Sequence, residues 1–152
     1  MARKGRNFNN GITSTNVKSS EEFLGRFEHD TEVMTEIREF ASRKRVKSAV
    51  FSMIGAVKSA TISYYDQKAR KYHDIEFNEP MEVVHCTGNI CIKDGKSIVH
   101  AHACLAHEDG RAVGGHLVAM RVFAGEIHIK IFRNKIIRAF DEKTGLNLLD
   151  LS

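Results

Sequence analysis

Residues 88–117 read GNICIKDGKSIVHAHACLAHEDGRAVGGHL, and the interpretation of this stretch decides the fold. Residues 97–105 are rich in β-branched and small apolar side chains, and Asp94-Gly95 and Asp109-Gly110 on either side are turn chemistry. The pattern predicts a strand over 97–105. Side chains alternate across a strand, so His100 and His102 project from one face with Ile98 and Cys104, while Val99, Ala101 and Ala103 occupy the other. Gly114-Gly115 then opens the next strand immediately before His116. Glycines allow close backbone approach or positive φ, which would bring His116 beside its neighbour without a Cβ clash. Gly88, Gly114 and Gly115 are thus the backbone-shaping positions of the stretch.

Outward from this centre the same β signature recurs. Strands are predicted over 48–54, 59–65, 71–77, 82–87, 118–123 and 126–131, with a short one near 136–140 and turn-like links between them. One confident helix is predicted over about 30–44, with Asp30 at the N-cap, Glu32 in the first turn, and Val33, Ile37, Phe40 and Ala41 along one apolar face. Without further long helices, repeated right-handed crossovers have no material, which disfavours a doubly wound parallel sheet. The expected fold is α+β, a mainly antiparallel sheet of about seven strands flanked by helices. Residues 1–19 are polar and basic and read as a flexible N-terminal arm, and 20–152 as a single domain.

Composition narrows the function classes. No apolar run reaches the length needed to span a bilayer and no signal peptide is evident, so the expectation is a cytoplasmic protein without a membrane partner. Cys86, Cys91 and Cys104 are odd in number and lack CxxC spacing, which argues against a disulfide framework or a cysteine-only zinc knuckle. The net charge of +4 owes three positive charges to Arg3, Lys4 and Arg6, and the remainder is close to neutral. Any contact with DNA phosphates is therefore expected from Arg3, Lys4 and Arg6, from local clustering such as Arg43, Lys44, Arg45 and Lys47, or from bringing several subunits together.

Two imidazoles on one strand face anchor a divalent metal when a third donor folds beside them, and His116 is the leading candidate for that donor. Three histidines would leave a coordination position open, as in a catalytic or ligand-binding zinc site. Glu82 and His85, on the preceding strand, are candidate supporting residues able to orient an imidazole or move a proton; His85, like His107 on the turn, is also a less supported candidate ligand. The competing interpretation is that the rings simply hydrogen-bond to carbonyls or carboxylates within the sheet. No dinucleotide-binding, P-loop, HExxH or GxSxG sequence occurs, and no catalytic group is assigned.

Several elements together resemble the plant and prokaryote conserved (PPC) domain. They are Glu79-Pro80-Met81-Glu82-Val83 leading into Gly88-Asn89-Ile90, the Asp94-Gly95-Lys96 turn, His100-Ala101-His102, and Asp109-Gly110 followed by Gly114-Gly115-His116-Leu117, with Ile54-Gly55-Ala56 upstream. The resemblance covers residues 23–131. It implies an antiparallel sheet flanked by helices, assembly as a homotrimer, and histidines that in some members bind metal. Plant members join the domain to an AT-hook that enters the minor groove of DNA. Here Arg3-Lys4-Gly5-Arg6 is followed by Asn7 rather than the hook's proline-containing core, and Pro80 stands where plant members carry an arginine. Three functions therefore remain open: a trimeric DNA-associated or regulatory protein with weak, non-specific DNA binding; a protein holding zinc or another divalent metal, or a small ligand, at His100, His102 and His116; and a structural or protein-interaction trimer.

Overall fold

The computed structural model describes residues 11–151. Its elements in chain order are β1 (Ser19–Phe27), α1 (Val33–Arg43), β2 (Ala49–Asp66), β3 (Lys71–Phe77), β4 (Met81–Lys93), β5 (Lys96–Ala106), β6 (Ala112–Phe132), β7 (Ile137–Asp141) and β8 (Leu146–Asp150). The strands form one eight-stranded sheet in the order β3-β2-β6-β5-β4-β7-β8, with β1 added to β6. Every pairing is antiparallel except the single parallel bridge between Ile92 of β4 and Ile137 of β7. The expected α+β architecture is therefore present, with one helix among the described residues where flanking helices were anticipated.

Two strands are far longer than the sequence suggests. The runs at 48–54 and 59–65 are one strand, β2, and those at 118–123 and 126–131 are one strand, β6. Both bend where they cross: Gly55 faces Gly125 and Ala56 faces Ala124, with register shifts directly after. A Cβ on Gly55 would fall on the Ala124 carbonyl oxygen and 2.7 Å from the Gly125 Cα, and its φ of +145° favours glycine. The small residues that look like chain breaks are thus the pivot at which two strands turn without ending. Because β2 pairs with β6 and also with β4, the strands β2, β6, β5 and β4 close into a ring.

Phe51, Met53, Ile62, Ile90, Leu105, Leu117, Met120, Val122 and Ile129 belong to one buried core. The helix lays Val33, Met34, Ile37 and Ala41 on that core. Its N-cap is Glu32, not Asp30. The Glu32 carboxylate accepts from the backbone N–H of Met34 at 3.0 Å and of Thr35 at 2.8 Å, the Thr35 hydroxyl at 2.7 Å, and the Met120 N–H of β6 at 3.3 Å. Burial opposes its ionisation, but these hydrogen bonds outweigh burial and hold the carboxyl below its usual range. Asp30 instead takes a left-handed conformation, donates its N–H to the Val122 carbonyl and pairs with Lys58 at 3.2 Å. Among the described residues, no helix is long and apolar enough to cross a membrane.

Candidate metal centre

Strand register assembles the histidines. His102 of β5 lies directly across from His116 of β6, and His100 and His102 lie opposite Asn89 and Thr87 of β4. The alternate β5 residues Ala101, Ala103 and Leu105 are buried in the core, so the imidazoles stand on the opposite face of the strand. Ring centroids are 5.2 Å apart for His100–His102, 5.2 Å for His100–His116 and 5.7 Å for His102–His116. One nitrogen from each ring lies within 4.8 Å of the others.

Close backbone approach is what the glycines provide. A Cβ on Gly88 would strike the His100 carbonyl oxygen and stand 2.5 Å from Cζ of Phe51. On Gly114 it would lie 2.9 Å from the Ala103 carbonyl oxygen, and on Gly115 2.9 Å from that of Ser63. At Gly114 and Gly115 the need is space rather than positive φ, since neither occupies the left-handed region.

Burial favours the neutral form of His100 and of His116. Burial, then the charge of Arg138 and the neighbouring imidazoles, lowers His100 to about 4. His116 is also lowered, by burial first and then by His102 and Arg138, against the opposing charge of Asp74. Neutral imidazoles offer the lone pairs that a cation needs. The Nδ1 of His116 is buried without a hydrogen-bond partner, contrary to the expectation for a ring satisfied inside the sheet. His116 stacks at a tilt on Tyr72 of β3, with centroids 5.0 Å apart. A cavity of about 340 Å³ lined by Val50, Thr87, Gly88, Asn89, His100 and His102 opens beside the group. Three convergent imidazoles of this kind could coordinate a divalent metal ion.

Arg138 is the component that the sequence does not reveal. It sits on β7, in a stretch readable only as a short strand, and its Nη2 donates to Asn89 Oδ1 at 3.0 Å and to His100 Nδ1 at 3.1 Å. The β7–β8 hairpin that carries it is tied to the β2–β3 turn: the Tyr65 hydroxyl donates to the Thr144 carbonyl at 2.8 Å and Arg70 to the Lys143 carbonyl at 3.1 Å. No motif signals such an arrival.

Other predicted residues lie elsewhere. His85 is exposed on β4 opposite Cys104, and Glu82 lies opposite Ala106. Neither joins the three-histidine group. Glu82 instead lines a separate cavity with Glu79, His107 and Phe123. His107 meets Glu79 at 2.8 Å and packs edge-on against Phe77. Arg3, Lys4 and Arg6 lie outside the described residues.

Comparison with known proteins adds to this geometry. Residues 14–133 match the family model of the Plants and Prokaryotes Conserved domain. Among solved structures, a metal-containing protein of Archaeoglobus fulgidus is 38% identical with a TM-score of 0.86, over 90% of this chain and 98% of that one. A plant- and prokaryote-conserved protein of Pyrococcus horikoshii is 31% identical with a TM-score of 0.86, over 91% of this chain and 97% of that one. A provisionally assigned DNA-binding protein of Bacteroides thetaiotaomicron is 26% identical with a TM-score of 0.83, over 89% and 97% respectively. Among curated proteins no match is found.

Proposed function

Since the chain belongs to the Plants and Prokaryotes Conserved domain family, we propose that it is a metal-binding member whose ligands are His100, His102 and His116. The observation that carries this reading is the convergence of three imidazoles, with the buried Nδ1 of His116 lacking any partner. Support also comes from the Archaeoglobus relative, itself a metal-containing protein. When bound, a divalent ion supplies Lewis acidity at a position left open by three ligands. The chain contributes the rest: Gly88, Gly114 and Gly115 let the strands close up, and burial keeps the His100 and His116 rings neutral. Burial raises the Cys91 thiol above the usual range, and Cys91 is not among the converging donors.

The test is elemental analysis of untagged protein followed by zinc titration. The expected result is about one divalent ion per chain, with zinc affinity lowered at least about tenfold in His102→Ala, a loss of the size expected for a removed ligand or its support. Absence of bound metal together with failure to retain added zinc would refute the reading.

A second reading is weak, salt-sensitive DNA association through Arg3, Lys4 and Arg6, presented by the 1–19 arm and multiplied around a homotrimer of the 20–152 unit. The provisional DNA-binding assignment of the Bacteroides relative favours it, as does the basic arm. Binding of duplex DNA at low salt should then fall when residues 1–8 are removed; equal binding by both proteins eliminates the role of the arm.

A further inference from the structure

Arg138 brings to the centre a charge that its hydrogen-bonding partners do not neutralise. It stands beyond the residues matched by the family model. Its Nη2 donates to Asn89 Oδ1 and His100 Nδ1, and its Nη1 donates to the Asn147 carbonyl at 2.7 Å, so each of these partners is uncharged. Nε is buried with no hydrogen bond. A guanidinium keeps its proton throughout the accessible pH range, and Arg138 is half-buried, so water screens its charge only in part.

The contact with His100 is also incompatible with metal ligation. A neutral ring that accepts at Nδ1 carries its proton on Nε2. An ion taking Nδ1 would displace the Arg138 donor. An ion taking Nε2 would place the proton on Nδ1, setting an N–H against an N–H. In either case loading at His100 releases an Arg138 N–H beside the ion. Three neutral imidazoles add no negative charge, leaving a dication and a guanidinium together. Asp74, which accepts from the Ser63 hydroxyl at 2.7 Å and whose charge acts on His116, offsets one of these three positive charges and leaves an excess.

We propose that the metal-loaded centre binds a small oxyanion, a carboxylate or phosphate, held jointly by the ion and Arg138. This rests on the metal-binding reading above. Such a ligand supplies an oxygen to the open position and a second oxygen to the guanidinium, whose planar donors match that geometry. A cavity lined by Asn89, His100 and His102 opens beside two of the three histidines. A neutral ligand would satisfy the coordination position but leave the excess positive charge.

The experiment loads the full chain with Co(II), whose visible absorption reports its coordination. Sodium acetate and inorganic phosphate are titrated separately at fixed pH and ionic strength. One of the two should shift the wild-type spectrum at saturation, and the one that does so at the lower concentration identifies the ligand class. Arg138→Gln should need about tenfold more of it, the scale of one lost charge-assisted hydrogen bond. The same variant should take up Co(II) at least as tightly as wild type, because the competing donor is gone. Arg138→Lys should lie between them, and it carries the comparison if the glutamine variant does not fold. Equal anion titrations for loaded wild type and variants, or no response to either anion in wild type, overturn the oxyanion site and leave the metal reading standing. Failure of wild type to take up Co(II) removes both.

Discussion

His100 carries a pH signature that its neighbours impose. An unfolded chain protonates this ring near 6.5, whereas burial and the charge of Arg138 lower it to about 4 in the fold. Between those values the unfolded state binds more protons, so stability rises with pH across that window and is lost as pH falls from 6.5 towards 4. Thermal melts of metal-free protein should show this decline, and His100→Gln should flatten it. An unchanged slope would show that the ring is solvated as in a free peptide. The facing of His100 and His102 was readable because strand alternation is geometrically strict. Arg138 was not readable, since its approach depends on how a distant hairpin docks, and no local period encodes that.

The helix illustrates how tertiary contact selects among local candidates. Asp30 and Glu32 are both acidic residues at the start of α1, and aspartate is the more common cap by composition. Glu32 takes the role because its carboxylate also accepts the Met120 N–H, tying the helix start to β6. Glu32→Ala should therefore lower stability in urea unfolding by about 1–2 kcal/mol, the upper part of the range for a lost cap, whereas Asp30→Ala should move the midpoint much less. Similar shifts for the two variants would contradict this assignment. The strands carry a parallel lesson. Their side-chain types were legible, but their lengths were not: Gly55-Ala56 and Ala124-Gly125 have the composition of turns, and only their facing across β2 and β6 makes them a bend. A bulge also interrupts the alternation from which strand continuity would be read.

At the level of the whole molecule, closure of β2, β6, β5 and β4 divides the sheet into a ring and its attachments. Ring strands are hydrogen-bonded on both sides over much of their length and supply most of the buried core. The β7–β8 hairpin is joined to the ring by one parallel bridge, the Ile92 N–H donating to the Ile136 carbonyl, the Arg138 contacts with Asn89 and His100, and the tethers at Tyr65 and Arg70. Native-state hydrogen exchange should accordingly show amides of β7 and β8 opening more readily than those of β5 and the ring-paired part of β4. Uniform protection would mean that the hairpin and ring unfold as one unit. Closure itself was invisible in the sequence, because it requires β2 to serve two partners at once, and a linear pattern of strands does not specify partnership.

Within β5, adjacent residues answer to different demands. Ala101, Ala103 and Leu105 build the core, while His100 and His102 between them face outward and are not among its members. Chemistry and architecture are thus interleaved along the same few residues yet separated by the thickness of a sheet. A lineage built on this scaffold has a low barrier to innovation: replacing outward positions alone would retire one ligand set and install another while the inherited framework stays as it was.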